Sequence, residues 1–286
     1  MSRDEHYNVN SIRELLKAHG FRFSKAMGQN FLVDPNITEK IIKQSGVDTS
    51  SGVLEIGPGI GALTMELSKA AGHVTAVELD KRLVPILRGM FADNEKVSII
   101  QGDILNIDIK SLIDETMGGL IYHVCANLPY NITTPALTAL IEAKVFKTIT
   151  IMIQKEVALR ICAKPGSKEY GAFTVYTNCH ATPEILFDVP PECFVPRPKV
   201  TSSVVRMKIK ANLLPDKEHE EVFFRVVRAA FNQRRKTLVN AIHSAFSETH
   251  SKDKITEIVE DCGFDARVRG EMLSIEDFIR LSSNFM

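Results

Sequence analysis

VLEIGPGIGALT, Val53 to Thr64, decides the fold. An apolar, β-branched run meets Gly57, Gly59 and Gly61 and then passes into a helical pattern. The stretch therefore reads as a strand, a tight turn and a helix. Glycines in such a turn let the chain bend sharply and let a ligand approach the backbone. The spacing is G-x-G-x-G, not the G-x-G-x-x-G of dinucleotide enzymes, and a plain strand–helix turn is the competing reading. Outward from it, further β-branched runs recur: HVTAVE (73–78), VSIIQ (97–101), IYHVCA (121–126) and TITIMI (148–153). Helical stretches such as ALTMELSKA and KRLVPILRGM lie between them. Strand–helix alternation of this kind predicts an α/β fold with a mostly parallel sheet covered on both faces.

The pattern changes after residue 153. ATPEILFDV and TSSVVRMKI read as two strands that close the sheet as an antiparallel, hairpin-like pair, with the proline-dense loop PPECFVPRPKV between them. From Leu213 onward only helical patterns remain: EEVFFRVVRAAF, RKTLVNAIHSAF, KITEIVEDCG and IEDFIRLSS. Polar ANLLPDKEHE, with Pro215, marks a boundary. The expected domains are residues 1–212 and a small all-helical domain over 213–286. Two more helices precede the glycine turn. One covers SIRELLKAHG; the other starts at Asp34-Pro35, an N-cap followed by proline at the first helical position, and stops at Gly46. FSKAMGQNFL between them reads as an ordered loop. Pro85 is expected to kink its helix or delay its start. In TTPALTALIEA, Thr134 is the expected N-cap and Pro135 the first helical residue.

The 286 residues are 44% hydrophobic and 24% charged, within the globular range and enough for one large core plus an appendage. Net charge is zero, so any footprint for nucleic acid must be local. The five cysteines are scattered, odd in number and free of CxxC spacing. That argues against a zinc site or a disulfide framework and for a reducing compartment. No metal is expected. The polar, charged N-terminus has no signal-like apolar region, and no run of eighteen apolar residues occurs, so a cytoplasmic protein with no membrane partner is expected. Asn36-Ile-Thr38 and Asn131-Ile-Thr133 match a glycosylation pattern that carries no weight without a secretory signal.

Acids follow the glycine turn. Glu78 ends the second parallel strand, where a carboxylate can accept both hydroxyls of a ribose. Asp103, in QGDIL, follows the third and can accept from an adenine amine. Each by itself is more often a helix N-cap or a solvated loop residue; together, at the ends of consecutive strands, they line the crevice where open α/β sheets bind ligands. Glu55 lies within the first strand, where a carboxylate is costly unless paired. It can face the positive end of a ligand, a sulfonium or an ammonium, or be paired with a backbone amide or a lysine. An adenosine joined to a cationic centre describes S-adenosylmethionine.

NLPYNITTP, Asn127 to Pro135, ends the fourth strand with an amide, a proline and an aromatic but no charge. The chain, through GQNFL, VLEIGPGIGALT, VELDKRL, GDIL, NLPYNITTP, FVPRPKV, SSVVRM and FNQRRKTLVNAI, resembles the KsgA/RsmA family of ribosomal RNA adenine dimethyltransferases over roughly residues 20 to 280. The resemblance implies a Rossmann-like class I S-adenosylmethionine-dependent methyltransferase domain followed by a helical RNA-binding domain. It implies S-adenosylmethionine held by Asn30, Leu32, Gly57, Glu78, Asp103 and Asn127. It also implies dimethylation of two adjacent adenosines near the 3′ end of 16S RNA during small-subunit assembly, by a monomer.

An aromatic amine needs acceptors that hold its N–H groups and favour the developing positive charge. The Asn127 side-chain oxygen and the Leu128 carbonyl are such acceptors. Pro129 sets the backbone, and Tyr130 offers a face on which a base can stack. By resemblance Phe194 covers the other face of a flipped adenine; a core phenylalanine is the competing reading. Arg197 stands where many family members carry proline. The expected RNA contacts are Arg22, Lys25, Arg197, Arg234, Arg235 and Lys236, with Arg225, Arg228 and Arg269 extending the basic set. Residues 234–236 are read as a helix start, where the dipole disfavours cations unless phosphate neutralises them. VRGEM departs in detail from the family pattern, which bears on docking of the last helix. The alternatives are an assembly factor acting mainly by binding, a macrolide-resistance-type methyltransferase of large-subunit RNA, and a small-molecule methyltransferase.

Overall fold

The computed structural model describes residues 28–286 without a break, together with Ile12, Glu14, Lys17, Ala18, Gly20 and Phe21. The helix expected over SIRELLKAHG falls largely outside them. The chain forms two compact units: residues 1–158 with 184–209, and residues 159–183 with 210–286.

The first unit is built on strands β1 (Phe31–Leu32), β2 (Ser51–Ile56), β3 (His73–Glu78), β4 (Val97–Gln101), β5 (Ile121–Asn127), β6 (Thr148–Gln154), β7 (Ala181–Val189), β8 (Phe194–Val195) and β9 (Ser202–Ile209). Seven of them form one sheet in the order β4-β3-β2-β5-β6-β9-β7, while β1 and β8 pair separately. β2, β3, β4, β5 and β6 run parallel, and β9 is antiparallel to β6. β9, not β7, inserts next to β6, so the closing pair sits in the reverse of its chain order. The strand order reverses at β2, and such a switch point opens a crevice beyond the carboxyl ends of the strands. Every residue of β2 is buried, as a central parallel strand requires. Val53 and Leu54 are fully enclosed, each contributing about 1.5–3 kcal/mol by burial.

Helices α1 (Pro35–Ser45), α2 (Ala62–Ala70), α3 (Val84–Met90), α4 (Ile109–Met117), α5 (Thr133–Glu142) and α6 (Lys155–Ile161) follow in chain order. Asp34 caps α1 by accepting the Asn36 amide, with Pro35 at its start and Gly46 left-handed at its end. Pro85 stands in the first turn of α3, so that helix begins late rather than kinking. The helix after NLPY starts at Thr133, not after a Thr134 cap, because a 3₁₀ turn over Tyr130–Ile132 leads straight into it.

The second unit is helical: α7 (Ala172–His180), α8 (Lys217–Asn232), α9 (Leu238–Phe246), α10 (Lys252–Asp261) and α11 (Ile275–Ser282). Asp216, Thr237, Ser251 and Ser274 cap the last four. Its extent corrects the expected boundary. The unit resumes at residue 210 rather than 213, and it also takes in residues 159–183. The reason is packing: Tyr170, Val175 and Cys179 are buried in the same apolar cluster as Phe223, Leu238 and Phe278, and the Tyr170 hydroxyl donates to the Leu273 carbonyl at 2.8 Å. Gly270 of VRGEM is tight against α8, since a Cβ there would lie 2.7 Å from that of Ala230. Phe278 and Leu281 of the last helix are fully buried. Among the described residues, no helix is long and apolar enough to cross a membrane.

Candidate active site beyond the strand ends

The cleft of the first unit lies where β2, β3, β4 and β5 end, and it gathers Asn30, Gly57, Glu78, Asp103, Asn127 and Tyr130 along its wall. Gly57 and Gly59 have φ of 65° and 60°, a region that suits glycine. A Cβ on Gly59 would lie 2.9 Å from the Phe31 ring, and one on Gly57 would face Pro129 at 3.6 Å. The turn is thus shaped to leave bare backbone toward the cleft.

Glu78 is buried at the end of β3. One of its oxygens accepts the Gly59 amide at 3.3 Å and the other the Asp80 amide at 2.8 Å. Burial pushes its pKa up to about 7. Glu55 is enclosed, accepts the Thr64 hydroxyl at 2.6 Å and still borders the cleft. Burial, reinforced by nearby Glu78 and opposed by Thr64, raises its pKa to about 8. Glu55 is thus paired within the protein, with the Thr64 hydroxyl rather than a backbone amide or a lysine, and it borders the cleft. Asp103 caps its own turn, accepting from the Leu105 amide at 3.0 Å and the Asn106 side chain at 2.9 Å. Carboxylate oxygens have a second acceptor direction each, so these bonds leave room for a ligand.

Sequence reasoning missed a cluster beside this wall. The Gln29 side chain donates to Asp80 Oδ2 at 3.0 Å across 51 residues of chain. Asp80, buried, is held by Arg82 through Nε at 2.9 Å and through a second nitrogen at 2.6 Å, and Arg82 lies over the Phe21 ring at 4.7 Å. The Arg82 guanidinium holds the Asp80 carboxyl below its ordinary range. GQNFL and VELDKRL contain both partners, but no spacing rule brings them together.

NLPY is held at three points. The Asn127 side-chain amide donates to the Asn30 carbonyl at 3.1 Å, the Leu128 amide donates to the Met152 carbonyl at 3.1 Å, and the Tyr130 hydroxyl lies 2.7 Å from the Ser202 hydroxyl. The first bond orients the amide, because only its nitrogen can donate, so Oδ1 is the atom left to accept. Among the described residues, nothing donates to Asn127 Oδ1 or to the Leu128 carbonyl. Pro129, at φ −55°, precedes the 3₁₀ turn. Asn30 is fixed in turn by donating to the Gly28 carbonyl at 3.1 Å. Leu32 is buried yet borders the cleft.

Phe194 is a correction. It pairs with Leu32 in the β1–β8 ribbon, is 1% exposed and belongs to an apolar cluster with Leu32, Val53 and Met152. It does not line the cleft. Its strand position turns the ring into the core, and the core reading holds.

The basic residues divide by what they already hold. Arg22 and Lys25 lie outside the described residues. Arg197 is exposed and 3.6 Å from Glu192. In the second unit, Arg234 donates to the Lys168 and Tyr170 carbonyls at 3.0 and 3.1 Å and reaches Glu271 at 3.3 Å, so it braces the fold. Arg235 and Lys236 are exposed. All three precede Thr237, the cap of α9, and follow the last residue of α8. The dipole argument is corrected accordingly: these cations sit beside a helix C-terminus that favours them as well as before an N-terminus that does not. Arg225 is engaged with the Ala245 carbonyl at 2.6 Å and the Phe246 ring at 4.2 Å. Arg228 and Arg269 are exposed. Among the described residues, no group of three or more His, Cys, Asp or Glu could hold a metal ion.

A bare glycine turn, a buried acid at the end of the next strand, a third-strand acid and uncommitted acceptors on the fourth fit a nucleoside cofactor whose far end is charged. Together with a parallel sheet that reverses at its first strand, they define a Rossmann-like, S-adenosylmethionine-dependent methyltransferase. The sequence model of the family described as ribosomal RNA adenine dimethylase matches residues 20–281, and the chain belongs to that family. It is 44% identical to ribosomal RNA small subunit methyltransferase A of Lachnoclostridium phytofermentans, over 94% of this chain and 93% of that protein. It is 45% identical to the protein of the same name from Shouchella clausii, over 94% and 91%. The crystal structure of a dimethyladenosine transferase from Plasmodium falciparum superposes with a TM-score of 0.75 at 24% identity, covering 89% of this chain and 97% of the other. That of the 23S rRNA methyltransferase ErmE gives 0.68 at 24% identity, covering 89% and 98%. These two likenesses establish the fold.

Proposed function

We propose that this protein dimethylates the exocyclic amino groups of two adjacent adenosines near the 3′ end of 16S ribosomal RNA, during assembly of the small subunit, and acts as a cytoplasmic monomer. The observation that carries this reading is the pair of uncommitted acceptors, Asn127 Oδ1 and the Leu128 carbonyl, beside Tyr130 at the cleft. The small-subunit name borne by relatives at 44% and 45% identity supports the substrate. The likeness to ErmE rests on 24% identity and speaks for the fold only.

S-adenosylmethionine, bound in the cleft, would supply an electrophilic methyl group. Glu78 would hold its ribose, Asp103 its adenine, and the bare backbone at Gly57 its methionine end, closed over by Asn30 and Leu32. Asn127 and Leu128 accept the two N–H groups of the target adenine and so direct its nitrogen lone pair toward the methyl. They also favour the positive charge that nitrogen acquires on transfer. Once its bond to the methyl has formed and the S–C bond has broken, leaving a neutral thioether, that nitrogen gives one proton to solvent. Tyr130 stacks on the base, which must leave its RNA stack to reach the cleft. Neither acceptor binds a proton permanently, so a once-methylated amine can be received again. Arg235 and Lys236, both exposed, would meet phosphate, as would Arg197 in exchange for its exposed pairing with Glu192, with Arg22 and Lys25 as further candidates.

The test is methyl transfer from radiolabelled S-adenosylmethionine to small subunits from cells lacking the modification, followed by nucleoside analysis. Label in N6,N6-dimethyladenosine is expected. Cofactor binding without labelled subunits would overturn the reading and favour an assembly factor or another RNA target.

A further inference from the structure

SSVVRM, at the start of β9, is a motif with no role in the reading above. Its first residue, Ser202, is fully buried, and its side chain makes one hydrogen bond among the described residues, to Tyr130. The hydroxyls lie 2.7 Å apart, joining residues 72 positions apart in sequence. Tyr130 is half-buried, borders the cleft and sits in a three-residue turn that has no side-chain cap. A tyrosine ring on such a turn can swing about two torsions unless its far end is tied.

The tie is rigid because the sheet sets it. Ser202 pairs with Gln154, and Val204 with Met152, in the antiparallel β6–β9 ladder. The Lys155 amide donates to the Thr201 carbonyl at 3.0 Å, carrying the pairing past the strand end. Met152 also accepts the Leu128 amide. The segment that carries the ring is thus tied to β6 at Leu128, two residues before Tyr130, and the ring's hydroxyl is tied to β9. Burial raises the phenol pKa, so the hydroxyl stays protonated at neutral pH. It does no proton chemistry there.

We infer that Ser202 is a positioning residue, which ties the Tyr130 hydroxyl so that the ring presents a fixed stacking face to the adenine beside Asn127. The inference rests on the proposed adenine chemistry at this cleft. The Tyr130 hydroxyl is therefore an anchor, and the ring alone meets the base.

The test is a double-mutant cycle on methyl transfer to small subunits. Ser202→Ala and Tyr130→Phe should each lower kcat about three- to tenfold, as loss of one hydrogen bond implies. Cofactor affinity and the KM for the subunit should hold. The double variant should be no slower than either single one, because both remove the same tie, and Ser202→Thr should restore the rate. A wild-type rate in Ser202→Ala, or losses that multiply, would overturn the inference. A second readout is independent of activity. With ring-labelled tyrosine, the NMR signals of Tyr130, assigned by their loss in Tyr130→Phe, should shift or change flip rate in Ser202→Ala while the other tyrosines hold. Unchanged Tyr130 signals would also sink the idea. If the wild-type protein transfers no methyl group, the functional reading fails instead, and the ring signals still decide the anchor.

Discussion

At the scale of one residue, the proposed function rests on Asn127, whose two ends are used differently. Its nitrogen donates to the Asn30 carbonyl, and its oxygen is the atom that the proposed reading gives to the substrate amine. Asn127→Ala should lower kcat by about a hundredfold or more, roughly 3 kcal/mol of transition-state stabilisation, while subunit binding, followed by co-sedimentation, should persist. Glu55 makes a pH prediction. It ionises near its ordinary 4.5 in the unfolded chain but near 8 when folded, so the folded state holds the extra proton between those values. Stability of the cofactor-free protein should then fall as pH rises through that window. Glu55→Gln keeps an acceptor for Thr64 and should flatten the fall in melting temperature, most visibly above pH 7, where Glu78, with its pKa of about 7, contributes less. Glu78 and Asp103 are legible only as a set at the ends of consecutive strands, since each alone is more often a cap or a solvated residue, while Glu55 and Asn127 stand out as polar letters in apolar strands. The ring of Phe194 was not legible. Whether an aromatic faces a cleft or a core depends on its strand partner, here Leu32, 162 positions away in sequence.

At the scale of elements, the glycine turn and the segment laid against it act together. Gly59 is in the left-handed region, and a Cβ there would press on Phe31 at 2.9 Å. Gly59→Ala should cost more than about 1 kcal/mol of stability and weaken cofactor binding, both measurable by thermal melts with and without S-adenosylmethionine. Gln29 ties the same segment to Asp80, whose own amide orients Glu78. Gln29→Ala should weaken cofactor affinity by about three- to tenfold, as one lost hydrogen bond implies, read by calorimetry, with little change in subunit affinity. An unchanged cofactor affinity would show that the tie is idle. Strand and helix identities were readable from periodicity and β-branched content, and α1 appears with the cap and stop its sequence announces. The helix α5 starts two residues before the expected Pro135 because a 3₁₀ turn competes with Thr134 for the cap. Local signals cannot rank two such closures.

At the scale of the molecule, the second unit assigns different jobs to adjacent cations. Arg234→Ala should destabilise it by about 1 kcal/mol, because two backbone carbonyls lose their donor. Removing both charges at Arg235 and Lys236 should leave the melting temperature in place. It should reduce the slope of log affinity for RNA against log salt by about 1.4 to 1.8, as two lost phosphate contacts require. An unchanged slope would remove these residues from the RNA surface. The sequence by itself determined the α/β class, the parallel strands, the glycine turn and the family, because periodicity, turn chemistry and long motifs are local properties of the chain. Tertiary structure decided that residues 159–183 join the helical unit, that β9 inserts beside β6, that Phe194 is core and that Arg234 is a brace. Each of these depends on which distant surfaces bury one another, a free-energy choice made by the whole chain that no local pattern encodes.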